Sequence, residues 1–397
     1  MTSRGRHVLI FSVVFPPDNV STAHLVGNLA EDLITAGHRV SVITTTPHSR
    51  PEGTAKGEPA GVRIIRIPVP RKGRAALRNA FIWLLYLIGA FWAGMLRGRK
   101  PDVVLAVTPP PGIGLIGWWV ARRHRARLVY NVKELYPDIA VALGVLDARP
   151  LVAMMRWTEN RAFRKAAVVT THTDGIARRI ASRSDGTLVE LIPDGVDLDA
   201  IAPGTDGAGF RTEFGIMAPL VIGYAGNMGV PQNLDLLLDA ARLVADLPIQ
   251  IVLVGDGTER ERLTARISAE GLGNVVAVPH QPVSRVPEIY AACDVMYVPL
   301  APGLGADAMP SKAYQALAAE RPIIAAAPLD SEVTALVRES GAGFTIDPLT
   351  PEAVADVIRA IDRTLLAEMG RRGRRFVREH YSREAVAAAY LRIVETG

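Results

Sequence analysis

The chain has 397 residues, 49% apolar and 21% charged, with 35 Gly and 28 Pro, proportions that exclude a disordered, collagen-like or coiled-coil protein. Its single cysteine, Cys293, excludes a disulfide framework and a thiolate zinc site. Net charge is +5 but unevenly spread: residues 1–200 carry 27 Lys/Arg against 16 Asp/Glu, and residues 201–397 carry 18 against 24.

In chain order, the basic stretch Met1–Arg6 is followed by the short apolar run VLIFSVVF, which ends at Pro16-Pro17 without a small-residue cleavage site. That is not a secretory signal, and a cytoplasmic location is expected. HVLIFSVVF (7–15), VSVITTT (40–46), VRIIRIP (62–68), DVVLAVT (102–108), ARLVYNV (126–132) and AAVVTT (166–171) read as strands. Helical patterns near 21–36, 78–97, 111–124, 150–165 and 174–183 stand between several of them. This is a doubly wound parallel pattern. After the turn-rich IPDGVDLDAIAPG (192–204) it starts again, with strands expected at 220–226, 249–255, 274–279, 294–300, 321–327 and 341–347. Residues 351–396 read as helices with a break near 380–382. The expected division is therefore 1–198 and 199–379, two Rossmann-like domains, with 380–397 a helix returning to the first.

Residues 71–127 hold eleven basic side chains and one acid, Asp102, a field that attracts an anionic surface, nucleic acid or lipid. Within it Ala80–Leu96 is an uncharged run of seventeen residues with basic residues on both flanks. Trp and Tyr between basic flanks favour a membrane surface over nucleic acid. Charge on both sides fits a single crossing poorly, so a helix lying at the interface, or docked on the sheet with one face toward lipid, is expected.

Glycine-bearing turns fall at strand ends of the second half. GYAGNMG (223–229) places Gly226, Asn227 and Gly229 between a strand and a helix, and VGDG (254–257) places Gly255 and Gly257 likewise. Such turns let backbone amides approach an anion. GADAMPSKAYQALAAERPIIAA (305–326) puts Asp307 in a loop, Pro310 and Ser311 at a helix start, and Lys312 and Gln315 on the first turns. In the first half, Ser21 or Thr22 reads as a helix N-cap and His24 as a hydrogen-bonded histidine rather than a base. Glu134, and with less weight Lys133 and His172, follow strands and are candidates for contacting sugar. Cys293, in AACDVMYV, reads as core. The eight histidines show no ligand spacing, and there is no Asp-X-Asp of the kind that holds a divalent ion against a diphosphate.

Taken together, FPPDNVSTAHLVGNLAEDLITAGHRVSVITT, IPDGVDLDAI, YAGNMG, VGDG and PSKAYQALAAERPIIAA resemble the retaining glycosyltransferases of family 4 (group 1) over essentially the whole length. The pair VKELYPDIAVALGVL and PSKAY is more similar to the subgroup, including fucosamine transferases, that extends polyprenyl-linked surface polysaccharides. The resemblance implies a GT-B fold, two Rossmann-like domains facing across a cleft. It implies transfer from a nucleotide diphosphate sugar, expected to be UDP-linked, to a lipid-linked or glycan acceptor at the inner face of the cell membrane, with no metal or other cofactor. Asp307 and Gln315 align with the family's pair of donor-site glutamates, and Asn227 and Gln232 stand where many members carry Arg and Lys, leaving Lys312 to neutralise the diphosphate. Catalysis is thus expected from Asp307, Lys312 and Glu134. Donor binding is expected from Gly226, Asn227, Gly229, Gly255, Gly257, Pro310, Ser311 and Gln315, and acceptor binding from Asn19, Ser21, Thr22 and His24. Two other functions fit the same residues: an inactive scaffold subunit that binds a sugar nucleotide, and a sugar-nucleotide epimerase on the same fold.

Overall fold

A computed structural model describes residues 5–18, 20–47, 57–70, 76–96, 99–142, 144, 146–301 and 309–396. The chain divides into two compact units, residues 1–194 with 386–397, and residues 195–385. The sequence reading puts the divisions at 198 and 379. The difference has a local cause: Val196 exchanges backbone hydrogen bonds with Tyr381 (2.9 Å) and Arg383 (3.0 Å), so both short stretches stay with the second unit.

In the first unit β1 (His7–Phe11), β2 (Arg39–Thr45), β3 (Arg63–Ile67), β4 (Val103–Val107), β5 (Arg127–Val132), β6 (Val168–Thr171) and β7 (Val189–Leu191) form a parallel sheet in the order β3-β2-β1-β4-β5-β6-β7. The inner strands are buried on both faces, as helix-covered parallel strands must be, which explains their continuous apolar runs. Two features depart from the sequence reading. β1 stops at Phe11: Ser12 makes a last backbone bond to the Ile43 carbonyl (3.2 Å) and its hydroxyl donates to the Val14 carbonyl (2.7 Å), turning the chain away from the sheet. β7 was not anticipated, since three residues at a sheet edge carry too little alternation to be seen.

One face of this sheet is covered by the helices Ala76–Leu96, Ile113–His124 and Arg149–Lys165. The C-terminal helix Arg383–Glu395 brings Tyr390, Ile393 and Val394 into the core on the other face, with Val8, Ile10 and Val42. Arg6 ties its end, donating to the carbonyls of Val394 and Glu395 (2.8 Å each).

The second unit repeats the plan with β8 (Leu220–Ala225), β9 (Ile249–Val254), β10 (Val275–Val278), β11 (Val295–Pro299), β12 (Ile323–Ala326) and β13 (Gly343–Thr345), in the order β10-β9-β8-β11-β12-β13 and all parallel. Each sheet reverses its winding beside its first strand, between β1 and β4 and between β8 and β11. Open α/β sheets bind ligands beyond the carboxyl ends of the strands at such a reversal.

Candidate functional site

At the carboxyl end of β8 the chain turns through Gly226 and at the end of β9 through Gly255, both with positive φ (137° and 147°). The two turns are joined: Gly226 N–H donates to the Val254 carbonyl (2.9 Å) and Met228 N–H to that of Asp256 (2.8 Å). A Cβ on Gly255 would lie 2.0 Å from the Gly226 carbonyl oxygen, so no other residue fits there without moving the loop. Gly255→Ala is expected to destabilise the protein by about 2–5 kcal/mol, read as a lower urea midpoint. Gly257, φ 156°, packs in the same way against the Met228 carbonyl.

Helix Ser311–Ala318 begins after Pro310, and Lys312 in its first turn lies over the ring of Tyr224 from β8, Nζ 3.9 Å from the centroid. Nζ also stands 3.1 Å from where a Cβ on Gly226 would be. Burial pushes the ammonium down to about 7, and among the described residues no carboxylate counters the shift. The result is a cation poised to discharge, beside a glycine turn and a helix N-terminus, surroundings in which a neighbouring anion would favour the charged form.

Asn227 contributes its backbone, the carbonyl accepting from Tyr224 Oη. Gln232 Oε1 accepts from Gly229 N–H (3.0 Å), so this side chain is engaged in holding the turn. Gln315 Oε1 accepts from Tyr290 Oη (3.0 Å), which fixes its amide and leaves the second lone pair for another donor. Asp307 and Asn19 lie outside the described residues. Gly226, Gly255 and Lys312 therefore come together, with Gly257 and Gly229 in the adjoining turns, whereas Gln315 is held by Tyr290.

In the first unit the expected N-cap is corrected. Helix Ser21–Thr35 starts at Ser21 and its cap position is Val20, whose side chain makes no cap hydrogen bond; Ser21 is exposed, while Thr22 and His24 are half-buried in the first turn. The carboxyl ends of β4 and β5 are linked through Thr108, whose hydroxyl oxygen accepts from Lys133 N–H (2.8 Å). Glu134 accepts from Tyr136 Oη (2.8 Å). Lys133 forms a half-buried ion pair with Asp194, which holds the Asp194 carboxyl low despite desolvation. His172 lies near the pair, and desolvation drives its imidazole down to about 4, so the ring is neutral at physiological pH.

Sequence reasoning missed three participants. Tyr224 is within the quoted YAG motif, but its ring contact with Lys312 joins residues far apart in the chain. Asp194 belongs to the IPDG turn, where a turn-forming aspartate is unremarked. Glu159, the only acid of its helix, is 2% exposed, with Oε2 accepting from Tyr130 Oη (2.5 Å) and Oε1 from Gly112 N–H (2.7 Å). The sequence does hold one Asp-X-Asp, Asp197-Leu198-Asp199. Asp197 Oδ1 accepts from the backbone N–H groups of Asp199 and Ala200 (3.0 Å each), a turn-capping role.

A search of known proteins returns the same two-part organisation. Residues 22–195 match the glycosyl transferase 4-like domain and residues 219–363 the glycosyl transferases group 1 family. A Pseudomonas aeruginosa protein described as a glycosyltransferase, WbjE, is 28% identical over 162 residues, 41% of this chain and 40% of WbjE. An Escherichia coli K12 protein described as a colanic acid biosynthesis glycosyl transferase, WcaI, is 22% identical over 384 residues, 89% of this chain and 91% of WcaI. The crystal structure of Anabaena Alr3699/HepE in complex with UDP and glucose superposes with a TM-score of 0.74 at 15% identity, covering 99% of this chain and 100% of that one. Two family matches, one in each Rossmann-like unit of a GT-B fold and together spanning most of the chain, establish that it belongs to the group 1 glycosyltransferases.

Proposed function

We propose that the protein transfers a sugar, with retained anomeric configuration, from a nucleotide diphosphate sugar to a lipid-linked or glycan acceptor in the assembly of a surface polysaccharide at the inner face of the cell membrane. The observation that carries the donor reading is Lys312, a desolvated cation between a glycine turn and a helix N-terminus. Uridine diphosphate is the favoured carrier, by likeness to the UDP-bound Anabaena protein. The diphosphate leaves as its charge develops against Lys312 and the backbone amides, a task that asks for no resident metal. The acceptor oxygen bonds to the anomeric carbon from the face the diphosphate vacates, and the hydroxyl proton passes to the departing phosphate oxygen, so alignment takes the place of an enzyme nucleophile. Glu134, held by Tyr136 beyond the end of β5, is the residue of the first unit assigned to contacting a sugar.

Turnover across a panel of nucleotide sugars, read as nucleotide diphosphate release with a membrane extract as acceptor source, tests this reading. Binding without release would favour the scaffold, and sugar isomerisation without an acceptor would favour the epimerase. Within the active panel, Gln315→Glu is expected to tighten donor binding several-fold by restoring a charged hydrogen-bond acceptor for ribose. Asp307→Asn is expected to lower kcat more than it changes KM. The reverse pattern would show the pair to be misassigned.

A further inference from the structure

Helix Ala76–Leu96 is long and apolar enough by composition to span a membrane, yet it is fixed to the sheet along one side. Ile82, Tyr86 and Ala90 are fully buried, and Tyr86 Oη donates to the Ile43 carbonyl (2.9 Å). Its other side carries Phe81, Leu84, Ile88 and Trp92 at three- and four-residue spacing, each more than half exposed. This apolar stripe does not end with the helix. The neighbouring helix Ile113–His124 exposes Trp119 (49%), and helix Arg149–Lys165 exposes Met154 (58%) and Trp157 (61%).

Contacts hold the three helices side by side: His124 Nε2 lies 3.1 Å from the Gly94 carbonyl oxygen, and Lys165 Nζ sits 5.7 Å from the Trp118 ring. All three bury their inner sides in one core over the same sheet, so their outer sides make one continuous layer. Along these helices stand eight Arg or Lys and a single acid, the buried Glu159. Large exposed apolar patches mark interaction surfaces. Arg156 and Arg164 are paired with Asp138 and Asp185 of neighbouring segments, and the excess of cations that remains, mixed with tryptophan, complements the interface of an anionic bilayer.

We infer that this three-helix face, and not the helix Ala76–Leu96 alone, is the surface that seats the protein on an anionic membrane. Trp92, Trp119 and Trp157 enter the headgroup boundary while Arg122, Arg123 and Arg161 meet the phosphates. The inference rests on the reading that the acceptor is held in a membrane, and it assigns the face that meets it.

All five tryptophans of the chain lie on these helices, and three of them, Trp92, Trp119 and Trp157, are exposed, so quenching of their fluorescence reports on this layer. The full-length protein is mixed with vesicles of phosphatidylglycerol or phosphatidylcholine bearing brominated acyl chains, at low and high salt. Quenching is expected with the anionic vesicles and should fall with salt. The double variant Trp119→Ser/Trp157→Ser is expected to lower the partition coefficient at least about tenfold, with its thermal midpoint and affinity for UDP unchanged. Undiminished binding by that variant, with loss only in Leu84→Ser/Trp92→Ser, would confine the contact to one helix and overturn the inference. Binding of the wild type to neither vesicle would overturn it too, as would a dimer that the tryptophan variant alone disrupts. Nucleotide-sugar turnover with detergent-dispersed extract is a separate readout, so failure of docking is distinguishable from failure of the enzymatic reading.

Discussion

Lys312→Met is expected to weaken the binding of UDP and of nucleotide sugars by about 1.5–3 kcal/mol, the range for a charge-assisted hydrogen bond, or roughly 10- to 150-fold in dissociation constant. Methionine keeps the stem against the Tyr224 ring and removes only the charge, so packing loss does not confuse the result. The lysine carries a second signature. In the free protein its ammonium titrates at about 7, so near pH 8 most molecules hold it neutral. A diphosphate in contact favours the charged form, so binding at pH 8 must take up a proton. Calorimetry in buffers of different ionisation enthalpy should show uptake approaching one proton per bound UDP in the wild type and none from this position in Lys312→Met. Equal affinity and equal uptake in the two proteins would remove Lys312 from the donor site.

Glu159→Ala is expected to cost about 3–5 kcal/mol of stability, because it strands the Tyr130 hydroxyl and the Gly112 N–H in the core and leaves a cavity. The effect depends on pH with a definite sign. Desolvation raises the folded carboxyl from 4.5 to about 7, more than the two hydrogen bonds lower it. Between those values the folded protein keeps a proton that the unfolded chain releases, so this group's contribution is fully present below 4.5 and is lost as pH rises through 7. The difference between wild type and Glu159→Ala should therefore be larger at pH 5 than at pH 8, by up to about 3 kcal/mol. Urea unfolding at the two pH values checks it. A difference that grows with pH would mean that Glu159 is held as the anion.

The parallel sheets were legible because strands such as β4 and β9 are buried on both faces and so write uninterrupted apolar runs into the chain. The glycine turns and the PSK helix start were legible because each is local. What the sequence hid depends on distance. Glu159 meets partners 29 and 47 residues away, and Lys133 meets Asp194 across 61 residues. Local pattern also failed at the first helix, where a serine and a threonine suggested a cap but the cap position fell on Val20. In Ala76–Leu96 nearly every position is apolar, so periodicity gave no sign of which side meets the sheet; Tyr86 turned inward and Trp92 outward only in the fold.

The most direct measurement follows the anomeric proton by NMR while the wild-type protein is given an α-linked nucleotide sugar and acceptor-containing membrane extract. Loss of the donor signal should be matched by release of the nucleotide diphosphate and by a new α-linked anomeric signal in the lipid or glycan fraction, with Lys312→Met slowing both. A β-linked product would contradict retention, and a donor that binds yet stays intact across the panel would contradict the account of this protein as a transferase.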